Sequence, residues 1–100
     1  MAVDIGGTNA RFALATHDDG GVRLDKFCKL ETDGFASFAD AWTQYEGMAG
    51  GALPPRAAIA VAAPVRDGCA PMTNHHWTLD EGELRRDLAL DDVMIVNDLA

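Results

Sequence analysis

The sequence predicts an α/β fold: one mixed five-stranded sheet with helices packed on it, its elements in the order β-β-β-α-β-α-β. Three observations carry that expectation. Apolar and polar residues alternate from Val3 to Leu30, the period changes to steps of three and four between Phe35 and Ala49, and short apolar runs return at Ala58–Ala63 and Val93–Val96.

Met1 to Ile5 forms the first strand, with Val3 and Ile5 on one face, and Gly6-Gly7 ends it in a tight backbone turn. Arg11 to Thr16 alternates again through Phe12 and Leu14. His17-Asp18-Asp19-Gly20-Gly21 is hairpin chemistry leading to a third strand from Val22 to Leu30, so the first three strands are antiparallel neighbours. Phe35, Phe38, Trp42, Tyr45 and Ala49 then line one side of an amphipathic helix, a core face rather than an aromatic binding box, with Ser37 and Asp40 as its N-terminal cap. Gly47, Gly50, Gly51 and Pro54-Pro55 stop that helix. Ala58 to Ala63 reads as a strand with apolar residues buried on both faces, its small side chains permitting close helix packing. Asp80 and Glu83 cap a second helix bearing Leu84 and Leu88, and Val93-Met94-Ile95-Val96 is a last strand ending at Asn97-Asp98. Right-handed crossovers are expected to join its parallel half. The stretch from Arg66 to Leu79, with Pro71, Thr73, Asn74, His75, His76 and Trp77, reads as irregular and is the only long connection.

Length and composition bound what such a domain can do. One hundred residues suit a single core and not two. Hydrophobic residues at 48% and charged residues at 24% exclude disordered and low-complexity classes. Sixteen acidic against eight basic residues leave a net charge of -8, the wrong sign for a nucleic-acid backbone or an anionic membrane. A phosphorylated ligand would have to be held locally, by backbone N–H groups and a metal cation. The longest apolar run, Ala57 to Val65, falls far short of the roughly 20 residues a membrane span needs, and no basic segment follows Met1, so neither a span nor a secretory signal is expected. Cys28 and Cys69 are far apart, with no C-x-x-C and no spaced Cys/His set, which predicts two buried thiols in a reducing cytosol rather than a disulfide or zinc framework.

The sharpest local feature is Asp4-Ile5-Gly6-Gly7-Thr8-Asn9. Glycines let backbone N–H groups approach an anion, the Thr8 hydroxyl and Asn9 amide add hydrogen bonds, and Asp4 can hold Mg²⁺ directly or through its waters. The plainer alternative is a hairpin turn made by Gly6-Gly7 and capped by Asp4. Neither a G-x-x-x-x-G-K-[ST] loop nor a G-x-G-x-x-G fingerprint occurs. Asp98, at the end of the last strand, can accept a hydroxyl proton during phosphoryl transfer; its reference pKa of about 4 makes it a weak but ionised base. The alternative there is a strand-end Asn-Asp turn. His75 and His76, as neighbours in an extended loop, project to opposite sides and do not make a chelating pair, while Trp77 reads as a hydrophobic anchor. Asp18-Asp19 and Asp91-Asp92 read as solvated turns. An aspartyl-phosphate nucleophile at Asp4 would want an acidic residue two positions on, where Gly6 stands.

Together, D-I-G-G-T-N-A-R at Asp4 to Arg11, A-V-A-A-P-V at Ala60 to Val65, M-T-N-H-H-W at Met72 to Trp77 and I-V-N-D-L at Ile95 to Leu99 resemble the bacterial glucokinases. D-x-G-G-T alone would indicate only the wider group of sugar kinases, actin-like proteins and chaperone ATPases. The resemblance implies ATP-dependent phosphorylation of glucose to glucose 6-phosphate in a cytoplasmic, glycolytic setting. Asp4, Gly6, Gly7, Thr8 and Asn9 fall on the segment that contacts the phosphates of ATP, and Asp4 on the associated Mg²⁺. Asp98 falls on the catalytic base for the 6-hydroxyl, Asn97 on a residue that bonds a sugar hydroxyl, and Thr73, Asn74 and His75 on the sugar side of the cleft. The implied fold is the ribonuclease-H-like (actin-like ATPase) small domain. Residues 1–100 would be the N-terminal small domain of a two-domain sugar kinase whose larger second domain, with further sugar, phosphate and adenosine contacts, is absent. The piece alone would be inactive. Its partners would be glucose and ATP, without nucleic acid or membrane, and a homodimer would form through the missing domain. The first strand is shorter than is usual in the family. The zinc-binding Cys/His cluster of the related repressor–kinase group is missing. A non-catalytic actin-like or regulatory nucleotide-binding module is the rival expectation.

Overall fold

The computed structural model describes residues 1–51, 53–72 and 77–97, with the backbone alone at positions 17 and 18. Strand β1 covers Ala2–Ile5, β2 Asn9–Asp18 and β3 Gly21–Glu31; a 3-10 turn at Thr32–Gly34 leads to helix α1, Phe38–Ala49. Then come β4 (Arg56–Val61), β5 (Cys69–Pro71), β6 (Thr78–Asp80), α2 (Glu81–Asp87) and β7 (Asp92–Asn97). The main sheet is mixed and five-stranded, in the order β3-β2-β1-β4-β7. β1, β2 and β3 are successive antiparallel neighbours, while β1, β4 and β7 run parallel.

The element order departs from β-β-β-α-β-α-β. The stretch read as irregular contains β5 and β6, which pair antiparallel in a separate two-stranded ribbon from Cys69↔Asp80 to Pro71↔Thr78. Three-residue strands are too short for a period of two to register, and Pro71, which has no N–H to give a ladder, speaks against a strand unless it closes one. β6 runs straight into α2. Asp80, its last residue, is also the cap of that helix and accepts from the Glu83 N–H at 3.0 Å.

α1 starts where its cap dictates, after Ser37, whose hydroxyl accepts from the Asp40 N–H at 3.3 Å. It ends at Gly50, in the left-handed region at φ 89° that glycine tolerates. Its apolar stripe lies on the sheet through Phe12: the Phe12 ring stacks on Tyr45 at 5.1 Å and on Phe38 at 5.8 Å, with the Trp42 edge at 6.4 Å. The Tyr45 hydroxyl donates to the Lys26 carbonyl at 2.6 Å, where β3 departs from regular extension at φ 52°. The Lys26 ammonium in turn donates to the Ala49 carbonyl in the last turn of α1, the favourable end for a cation. Trp77 is the anchor the sequence suggested: it is buried, donates from Nε1 to the Phe35 carbonyl at 3.1 Å, and meets Phe38 edge-on at 6.0 Å.

Both-face burial of β4 is corrected. Ala57, Ile59 and Val61 enter the core shared with α1, α2 and the inner faces of β1 and β7, whereas Ala58 is exposed and Ala60 half-buried on the other face. Met94 and Val96 on β7 stand 55% and 41% exposed. Among the described residues both helices cover one side of the sheet. Across the other side run Ala13, Ala2, Ala58 and Met94 in register, and the three alanines floor an apolar groove with Leu24 and Phe27 among its lining. Cys28 and Cys69 are free, as expected, but half-buried rather than buried.

Candidate active site

Parallel pairing of β1, β4 and β7 brings three strand ends to one edge of the sheet. Ile5, Val61 and Asn97 occupy one row of the register, which at ordinary strand spacing separates the first from the last by about 10 Å. The Gly6 bend and the chain after β7 therefore leave from the same edge, the carboxyl ends of parallel strands where open α/β sheets handle ligands.

Asp4 is half-buried on the face away from the helices, in the alternation of Ala2, and stands opposite Arg11 on β2 and Ala60 on β4. Beyond it the chain bends through Gly6, Gly7 and Thr8 into β2. The Gly6 N–H donates to the Asn9 carbonyl at 2.9 Å, and the Asn9 side-chain amide donates to the Thr8 hydroxyl at 3.1 Å. Neither Gly6 nor Gly7 has a positive φ, so this bend does not demand glycine for its backbone. A Cβ at Gly6 would meet nothing closer than the Asn9 carbonyl, at 3.9 Å. The protein's own packing thus gives no reason for glycine there, and the open backbone leaves room for a ligand to approach. The bend fits a phosphate group in that sense, with the Gly6 N–H already committed to the turn.

Among the described residues no three His, Cys, Asp or Glu side chains gather into a metal cluster. Asp4 brings one carboxylate to this side of the sheet, a donor type that suits Mg²⁺.

Asn97 closes β7 with its side chain exposed. Asp98, Thr73, Asn74, His75 and His76 lie outside the described residues. The flanks of the 73–76 segment are described: the Met72 N–H donates to the Trp77 carbonyl at 3.0 Å, and both residues are buried. Sequence reasoning missed Thr32. Its N–H donates to the Thr8 carbonyl at 2.9 Å, holding the glycine bend, and its hydroxyl is fully buried without a hydrogen-bond partner among the described residues. Nothing in Thr32-Asp33-Gly34 distinguishes it from an ordinary turn.

The architecture is that of an open α/β domain whose glycine bend and polar strand end share one sheet edge. A family model described as Glucokinase matches residues 1–100. The chain belongs to the glucokinase family. It is 36% identical over 98 residues to a glucokinase of Neisseria meningitidis, 98% of this chain and 29% of that one. Against a Zymomonas mobilis glucokinase it is 37% identical over 98% of its length and 31% of the relative's, and against one from Sinorhizobium medicae 41% over 95% and 27%. A crystal structure of glucokinase from an Antarctic psychrotroph superposes with a TM-score of 0.87 at 29% identity, covering 97% of this chain and 31% of the other. The chain spans less than a third of the length of these relatives.

Proposed function

We propose that the complete protein transfers the γ-phosphoryl group of ATP to the 6-hydroxyl of glucose, giving glucose 6-phosphate. Residues 1–100 form the N-terminal small domain of a two-domain sugar kinase, of the ribonuclease-H-like type, and are inactive alone. The observation that carries the reading is the meeting of the Gly6–Asn9 bend and the end of β7 on one sheet edge, in a chain of the glucokinase family.

In this reading Gly7 and Thr8 offer backbone N–H groups, and the Thr8 hydroxyl a further donor, to the phosphates of ATP. Asp4 and Asn9 complete the cradle. With a net charge of -8 the field of the chain opposes a polyphosphate, so these local donors have to hold it. Asp4 holds Mg²⁺, which when bound supplies neutralisation of the charge on the transferring group. Asn97 bonds a sugar hydroxyl, and Thr73, Asn74 and His75 border the sugar. Asp98 accepts the 6-hydroxyl proton as the attacking oxygen becomes acidic, so its placement counts for more than its basicity. The protein works in the cytoplasm, and its dimer contacts belong to the larger domain.

The test is glucose-dependent release of ADP by the complete chain. Asp98→Ala is expected to lower turnover by a factor on the order of 10²–10⁴ with ATP binding kept, and Asp4→Ala to weaken the dependence on Mg²⁺. Near-normal turnover of Asp98→Ala rejects the assignment. ATP hydrolysis indifferent to every sugar would point instead to a regulatory nucleotide-binding module.

A further inference from the structure

We infer that Glu81 is a positioning residue for the reaction proposed above: its carboxylate fixes the setting of β7, which ends at Asn97, against the β5–β6 ribbon. The inference rests on that functional reading.

β7 is the last strand of the main sheet, so its outward N–H groups have no neighbouring strand. One of them is filled from within the protein. The Ile95 N–H donates to Glu81 Oε2 at 2.8 Å in a partly buried contact, two residues before Asn97. The same residue grips the ribbon through its backbone, the Glu81 N–H donating to the Gly68 carbonyl at 2.9 Å in the turn before β5. Gly68 has φ +74°, and a Cβ built there would lie 2.8 Å from Glu81 Oε1, so the carboxylate occupies the space that a larger residue would take. Glu81 also directly follows β6, and Asp80 before it caps α2. One residue at the start of α2 therefore joins the ribbon, through its backbone N–H, to the outer edge of β7, through its carboxylate.

Satisfying an edge N–H does not by itself call for a glutamate, since water bonds it nearly as well. Water gives no fixed distance between β7 and the ribbon. A carboxylate tethered at the first residue of a capped helix does, and misplacing a substrate-handling group by about 1 Å can cost on the order of 10²-fold in rate.

Glu81→Asp, which keeps the charge at the helix start but withdraws the carboxylate by one methylene, and Glu81→Gln, whose amide oxygen can still accept from Ile95, separate placement from folding. In the complete chain Glu81→Asp is expected to lower kcat/KM for glucose about tenfold or more with KM for ATP within twofold, and Glu81→Gln to stay within about threefold of the parent. Ile95 amide exchange, read by NMR on the 100-residue chain, should quicken at least tenfold in Glu81→Asp and little in Glu81→Gln. Glucose kinetics unchanged in Glu81→Asp, or Ile95 protection unchanged, overturns the inference. Asp98→Asn run alongside keeps the two ideas apart. Normal turnover of that variant sinks the functional reading, whereas a dead Asp98→Asn beside a normal Glu81→Asp sinks the role of Glu81 alone.

Discussion

Thr32 shows how much one buried atom can ask of its surroundings. Its backbone supports the glycine bend through the Thr8 carbonyl, yet its hydroxyl is sealed in the core without a partner among the described residues. Leaving such a group unsatisfied costs about 1–3 kcal/mol, and replacing the hydroxyl by a methyl of similar shape removes that cost. Thr32→Val is therefore expected to be stabilising, by about 1 kcal/mol, raising the thermal midpoint of a domain this size by about 4–8 °C. A lowered midpoint in calorimetry would mean that the hydroxyl has a partner the geometry does not reveal. The glycine bend presents the opposite case, since Gly6 relieves no backbone strain and has open space where a Cβ would stand.

At the scale of elements, α1 is joined to the hairpin of β2 and β3 through a few specific side chains. Tyr45 is one of them, stacked on Phe12 and bonded to the Lys26 carbonyl. Burial, with Cys28 and Asp25 nearby adding to it, pushes the Tyr45 phenol above its ordinary value. A group raised in the folded state is stabilising below its unfolded value of about 10, and that contribution is lost as pH climbs through the folded value. Unfolding by urea is thus expected to become easier above about pH 10, and Tyr45→Phe should flatten that part of the profile. An unchanged slope in Tyr45→Phe would remove Tyr45 as the cause.

Most of these elements were legible in the sequence, and the reasons are local. Alternation around Phe12, the three- and four-residue steps from Phe38 to Ala49, and the caps at Ser37 and Asp80 are all short-range signals that the tertiary structure left standing. What escaped depended on distant partners. β5 and β6 exist because each finds the other, and the contact between Glu81 and Ile95 joins residues fourteen apart in a geometry no motif encodes. For the candidate site, D-I-G-G-T-N marked the bend by its residue types, whereas the meeting of that bend with the end of β7 follows from a parallel register that only the folded sheet supplies. The both-face reading of β4 failed because alanines at Ala58 and Ala60 are apolar enough to look buried and small enough to stand on an uncovered surface.

For the whole molecule, that uncovered side of the sheet decides how copies of the chain behave toward one another. Phe27 is 73% exposed and with Leu24 and Val96 borders a floor of alanines, while Met94 stands exposed beside Ala58. Contiguous apolar surface favours association, while a charge of -8 on every copy opposes it. Added salt shortens the reach of that repulsion to about 8 Å at physiological strength and leaves the apolar attraction intact. Light scattering from the 100-residue chain is accordingly expected to rise with sodium chloride, and to rise less in Phe27→Ser with Met94→Ser; a signal that falls with salt would contradict this. In colloidal terms the chain is kept dispersed by its charge rather than by its wetting, and it will be most soluble in dilute buffer.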